Sequence, residues 1–163
     1  MDALIKALLH VCITVPDLDE ALRFYRDVLG FKSVFETRTD KADGKLLGFD
    51  EEEIGIYAHH VLTAGAEHGH STEINLIEYT NPKTIAEEGP YLQMNHVGIT
   101  RLALLVADVK EACKTIRVHK GVQIVCEPKE IIIREPGMTI VTRWFSFRDP
   151  YGVFIAVTEP PKM

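Results

Sequence analysis

The chain has 163 residues, 46% of them hydrophobic and 26% charged, with a formal charge of −6 and a pI near 5.6. That length and composition suit a soluble globular protein with its own core, and the excess of acids over scattered lysines and arginines excludes non-specific nucleic-acid binding. Three cysteines, Cys12, Cys113 and Cys126, without CxxC spacing exclude a disulfide framework or zinc knuckle and point to a reducing, cytoplasmic compartment.

The opening stretch MDALIKALLHVCITV reads as a leading strand, because Lys6 and His10 interrupt the apolar run and no clear cleavage site follows. No run approaches the ~20 apolar residues of a membrane span, so no membrane partner is expected. Asp17, with Glu20 three residues on, has the pattern of a helix cap. The helix predicted over 17–29 collects Leu18, Ala21, Leu22, Tyr25, Val28 and Leu29 on one face, and Gly30 supplies its exit. FKSVFETRT, IGIYAHHVLT and TEINLIEY then read as strands. Residues 81–97 are polar, contain Pro82 and Pro90, and read as a linker. Leu102 to Val106 is the next apolar run, Asp108 the next cap, and Val109, Ala112, Cys113 and Ile116 the next apolar helix face, with Gly121 after it. GVQIVCEP, EIIIREPG, MTIVTRWFSF and GVFIAVTE complete the series as strand-like segments.

This order is a repeat. HVCITVPDLDEA overlies RLALLVADVKEA at a shift of 91 residues, which pairs Val15 with Val106, Asp17 with Asp108, Glu20 with Glu111, Ala21 with Ala112 and Gly30 with Gly121. INLIE overlies IAVTE at a shift of 81, which pairs Asn75 with Ala156. The fold class is therefore α+β, with a first βαβββ module over 1–80, the linker over 81–97 and a second module over 98–163. Two such units most economically keep their helices outside and curl their sheets around a shared cup, where ligands tend to bind.

HVCITVPDLDEALRFYRDVLGF, INLIEYTNP and FRDPYGVFIAVTE resemble the vicinal oxygen chelate superfamily, which includes glyoxalase I, methylmalonyl-CoA epimerase, extradiol dioxygenases and the fosfomycin and bleomycin resistance proteins. The resemblance implies a cup-shaped open barrel of paired βαβββ modules, often completed as a homodimer, holding a divalent metal through side chains from four strands. It places His10, Asn75, Arg101 and Ala156 at the four ligand positions, where the family commonly has two histidines and two acids.

Only His10 of the four is a good ligand. Asn75 offers a neutral amide, Ala156 nothing, and Arg101 a permanent positive charge without a lone pair. No metal or other cofactor is expected on this reading; the alternative is Zn, Ni, Mn or Fe on a shifted set of His10, Glu73 and a histidine such as His59, His60 or His96. Glu73 shares a strand face with Asn75, whereas the adjacent His59 and His60 point to opposite faces. The histidines of EHGHSTE read as part of a solvated loop. Arg101, Asn75 and His10 together suit an anion, with Arg101 gripping either a ligand or a structural carboxylate such as Glu73. His10 is the candidate catalytic base, Arg143 a second anion contact, and Tyr57, Trp144 and Phe147 an apolar wall. The expected function is binding of a small anionic or aromatic metabolite, with or without metal-independent turnover. A metal-dependent lyase, isomerase or dioxygenase and a non-catalytic interaction module stay open as alternatives.

Overall fold

The computed structural model describes residues 4, 5, 7–87, 89–91 and 93–161. It divides into two compact units, Met1–Glu87 and Glu88–Met163, and the division falls inside the stretch read as a linker. Each unit carries one helix followed by a meander on one four-stranded sheet.

In the first unit, β1 (His10–Thr14) leads to α1 (Leu18–Leu22), then to β2 (Lys32–Asp43), β3 (Glu53–Leu62) and β4 (Glu73–Asn81). The sheet order is β1-β4-β3-β2, with β1 parallel to β4 and the other pairs antiparallel. In the second unit β5 (Leu102–Leu105), α2 (Val109–Arg117), β6 (Gln123–Glu135), β7 (Met138–Arg148) and β8 (Phe154–Thr158) repeat the plan, with order β5-β8-β7-β6. The chain is thus an α+β protein of two βαβββ modules.

Both helices begin through the same pair of carboxylates. Asp17 accepts from the Glu20 amide at 2.8 Å, and Asp108 accepts from the amides of Lys110 and Glu111 at 2.8 and 3.0 Å. The next free amide at each start is met from the sheet: Leu18 N–H donates to Glu78 at 2.8 Å and Val109 N–H to Glu159 at 3.2 Å. Glu78 and Glu159 are partners at the 81-residue shift, so the repeat extends to the clamp between each helix and its last strand. Negative charge at a helix start satisfies free amides and complements the helix dipole.

The first helix departs from the uniform coil predicted over 17–29. After Leu22 it widens into a π-helical segment, Arg23–Val28, in which Leu29 N–H reaches Phe24 O at 3.0 Å. A wider turn rotates neighbouring residues through a smaller angle. The adjacent Phe24 and Tyr25 thereby both lie fully buried, their rings edge to face at 5.4 Å. With Val15, Leu18, Ala21, Val61 and Leu76, all at 0% exposure, they form the core on the helix side of the sheet. Each such large side chain contributes about 1.5–3 kcal/mol by leaving water.

Gly30 and Gly121 end the two helices with φ of +78° and +88°. At Gly121 an added Cβ would also stand 3.1 Å from Pro150, so that position combines the left-handed turn with a close approach.

Two sequence readings are corrected. The leading strand begins only at His10: Leu4, Leu8 and Leu9 precede it as exposed chain, and residues 1–3 lie outside the described residues. The segments GVQIVCEP and EIIIREPG are one strand, β6, with register shifts between Ile124 and Cys126 and between Cys126 and Lys129. Pro128 has no amide to donate, so pairing slips there without ending the strand, and β6 tolerates this at the sheet edge.

Candidate active site

Strand parity sorts the first sheet into two faces. Glu78 clamps α1, so Leu76 and Ile74 on the same parity face the helix, while Glu73, Asn75 and Ile77 face away from it. The parallel register sets His10 beside Glu73 and Cys12 beside Asn75, and the antiparallel register sets His60 beside Asn75. His10, Cys12, His60, Glu73 and Asn75 therefore share the open face of one sheet.

Glu73 is the centre of this group. It is 7% exposed, and its two oxygens meet two different imidazoles: Oε2 lies 2.7 Å from His60 Nδ1 and Oε1 lies 2.5 Å from His68 Nδ1. Burial alone pushes the carboxyl pKa up, but the hydrogen bonds from His60 and His68, with their positive charge, outweigh it and hold Glu73 below its usual value. His10 packs edge to face on His60 with centroids 5.2 Å apart, and Phe35 flanks the same ring at 5.7 Å. An imidazole anchored through Nδ1 keeps one tautomer and leaves Nε2 for acid–base work. Among the described residues neither Nε2 has a hydrogen-bond partner.

His68 stands in the turn read from sequence as a solvated loop. The hairpin between β3 and β4 folds it back, with Gly69 at φ +81° turning the chain, Ala66 N–H bonding Thr63 O and His70 N–H bonding Glu67 O. Thr72 Oγ1 donates to Leu8 O at 2.8 Å and Glu73 N–H to Leu9 O at 2.9 Å, which ties the loop's end to the chain before β1. A carboxylate opening a strand with a histidine five residues earlier, across a glycine turn, is the signal that was available.

The other singled-out residues are placed as follows. Asn75 is 7% exposed; its amide nitrogen touches Cys12 Sγ at 3.7 Å, and its Oδ1 has no hydrogen-bond partner among the described residues. Burial pushes the Cys12 thiol up, against the opposing contact from Asn75, so it stays protonated at neutral pH. His59 and Tyr57 lie on the helix side, opposite His60. There His59 is buried with Nδ1 3.7 Å from Glu36, and Tyr57 lies under the Arg38 guanidinium at 4.6 Å.

In the second unit Arg101 is exposed just before β5, without an ion pair within its unit among the described residues. Ala156 pairs with Ala103 and Ser146, and Trp144, two residues from Ser146, shares their face. Arg143 has the opposite parity and reaches Glu159 at 3.2 Å, on the side of α2; Phe147 is fully buried on that side as well. His96 stacks on Tyr91 at 4.7 Å.

The resemblance marks four metal-ligand positions, and His10, Asn75, Arg101 and Ala156 stand at them. A guanidinium and a methyl group stand at two of its four positions, and both oxygens of Glu73, the carboxylate of the shifted set, are engaged by imidazoles. Among the described residues no group of three or more His, Cys, Asp or Glu is arranged to hold a metal ion. No helix among them is long and apolar enough to cross a membrane.

Two βαβββ modules, with a histidine and carboxylate cluster on an open sheet face, define the class of protein. The model of the Glyoxalase/Bleomycin resistance protein/Dioxygenase superfamily matches residues 7–157, and the chain belongs to that family. It is 29% identical over 154 residues to a 2-epi-5-epi-valiolone epimerase from an Actinomyces species, covering 93% of this chain and 78% of that one. Among solved structures it resembles a glyoxalase family protein from Bacillus cereus, with TM-score 0.73, 23% identity and 98% of each chain covered. An antibiotic binding protein from a Streptomyces species matches with TM-score 0.56 at 19% identity, covering 98% of this chain and 99% of that one. The two structures share the fold with this chain.

Proposed function

We propose that this chain binds a small carbonyl metabolite and epimerises it by moving a proton on the carbon next to the carbonyl, using its own side chains. The observation that carries this reading is the buried Glu73 carboxylate bridging the Nδ1 atoms of His60 and His68. A carboxylate that orients an imidazole and stabilises its protonated form makes Nε2 an effective general base, and positioned acid–base groups contribute about 10²–10⁴ in rate. Likeness to an epimerase supports the same chemistry. His10, edge-on to His60, is suited to donate a hydrogen bond to the oxygen that gains charge as the proton leaves. Asn75 supplies an amide on that face; Arg101, exposed in the second unit, is separately suited to an anionic group. Tyr57 and Arg143, on the helix sides of their sheets, take no part in this scheme. No cofactor is required in this scheme. We infer further that the protein works as a homodimer in the cytoplasm, the second part supported by three unpaired cysteines.

The test is incubation in D2O with 2-epi-5-epi-valiolone and a panel of hydroxy ketones, carboxylated members included, followed by proton NMR at the carbon next to the carbonyl. Interconversion of epimers with solvent deuterium in the product is expected, and Glu73→Gln is expected to slow it by about 10²–10⁴. A stoichiometric transition metal in protein purified without chelator, lost in His10→Ala, replaces this reading with metal-dependent chemistry. Neither turnover nor saturable binding across the panel would leave an interaction module.

A further inference from the structure

We propose that the outer edge of β6 is a homodimer contact, in which residues 129–135 pair antiparallel with the same seven residues of a second copy about a two-fold axis at Ile132. This gives the homodimer inferred above an interface and is independent of the proton-transfer reading.

β6 is the last strand in the order β5-β8-β7-β6, so its outer edge meets no other strand among the described residues. Its register shifts end at Lys129, and from there to Glu135 it matches β7 residue for residue. Along such a run every second residue turns its amide and carbonyl away from β7. An edge of this kind invites another strand, and folded proteins ordinarily blunt it with charges, prolines or bulges. The corresponding edge of the first unit, β2, is blunted: Glu36, Arg38, Asp40 and Lys41 punctuate it, and two register shifts break it. The run in β6 has prolines only at its borders, Pro128 and Pro136, and its centre is three isoleucines. Of these, Ile132 and Ile133 are 44% and 42% exposed.

The charges of the run, KEIIIRE, select the occupant. Laid antiparallel on itself about Ile132, it sets Glu130 of each copy opposite Arg134 of the other, and position 129, a lysine, opposite position 135, a glutamate. Ile131 meets Ile133, and Ile132 meets its own counterpart. A slip of two residues either way would set charges against isoleucines. The pairing also respects the sheet faces: Glu130, which lies across from Arg143 of β7, shares its parity with Arg134, and Ile131 shares the other parity with Ile133. Glu130 and Arg134 are exposed, and neither has an ion-pair partner among the described residues. They cannot serve each other within one chain, since four residues along a strand span about 13 Å. A contact of this symmetry uses up the edge on both copies and closes at two.

The test is sedimentation equilibrium of the full chain over a range of concentrations. The wild type is expected to pass from monomer to dimer and no further. Glu130→Arg and Arg134→Glu each create two like-charge pairs across the contact, and each is expected to weaken dimerisation by about tenfold or more. Mixed in equal amounts, the two variants are expected to associate with one another as the wild type does, because at positions 130 and 134 one is then wholly positive and the other wholly negative. Hydrogen exchange of the wild type, which needs no substitution, is expected to slow within residues 129–135 as concentration rises. A monomer at every concentration overturns the interface and the homodimer together. A dimer that both variants leave intact, or one whose added protection lies outside residues 129–135, overturns the interface alone. Failure of the mixed variants to associate overturns the charge register, and growth beyond two copies overturns the closed pairing. Epimerisation is assayed separately, and its absence bears only on the proton-transfer reading.

Discussion

The two units share a frame and differ on one face. Each starts its helix with an aspartate cap, clamps the helix with a glutamate from its last strand and exits through a glycine of positive φ. On the face away from the helix the repeat partners part company. His10 corresponds to Arg101, Cys12 to Ala103, Glu73 to Phe154, Asn75 to Ala156 and, through the paired registers, His60 to Ser146. The carboxylate and imidazoles belong to the first unit alone. A frame held by caps and core packing leaves the opposite sheet face free to vary, because changes there disturb neither.

The sharpest test of that asymmetry is removal of charge from Glu73. Glu73→Gln keeps the size of the side chain but no longer holds two imidazoles, and a fall of about 10²–10⁴ in kcat is expected. Phe154→Leu, at the corresponding place in the second unit, is expected to keep activity; steady-state kinetics of the two variants compares the faces directly.

The shared frame predicts matched losses. Phe24→Ala in the first core and Phe145→Ala in the second are each expected to cost about 3–5 kcal/mol, since both rings are 0–1% exposed. Urea unfolding measures this, and a loss in one unit only would break the equivalence. At the clamps, Glu78→Ala and Glu159→Ala are each expected to cost about 1 kcal/mol, with the second larger because Glu159 also holds Arg143 at 3.2 Å.

The pH dependence of stability separates the faces of the first sheet. Burial depresses the His59 pKa, with Glu36 opposing and Arg26, Arg38 and His60 reinforcing the shift. A histidine held neutral in the fold but free to charge when unfolded loses stability as pH falls below its unfolded value of about 6.5. Glu73 has the opposite charge and a lowered pKa, so its contribution is complete above the unfolded carboxylate value of about 4.3 and fades as pH falls through its folded value. Thermal melts from pH 8 to 2 are expected to show both losses, the Glu73 one below about pH 4.3, and His59→Leu to remove the upper one alone. The smallest effect is expected at Arg101: as an exposed side chain, Arg101→Ala changes stability by no more than about 0.5 kcal/mol, while calorimetry with carboxylated ligands registers a weaker Kd.

Much of the frame was legible because it is written locally. Asp17 and Asp108 announce their helices within four residues, Gly30 and Gly121 close them, and alternation along TEINLIEY sets Glu73 and Asn75 on one face. The π-helical segment was not legible, because the periodicity of residues 17–29 fits an ordinary helix and only the burial of both Phe24 and Tyr25 selects the wider turn. The site was half legible: His10, Asn75 and Glu73 stood out, while His68 was assigned to a solvated loop.

By itself the sequence determined the doubled βαβββ order, the caps and the apolar faces, because spacing, parity and side-chain type are properties of short stretches. Only the tertiary structure decided that Glu73 is shared between His60 and His68. That pairing depends on which strands are neighbours, on a register in which a one-residue slip would turn His60 to the other face, and on the path of a turn. No local pattern specifies any of the three.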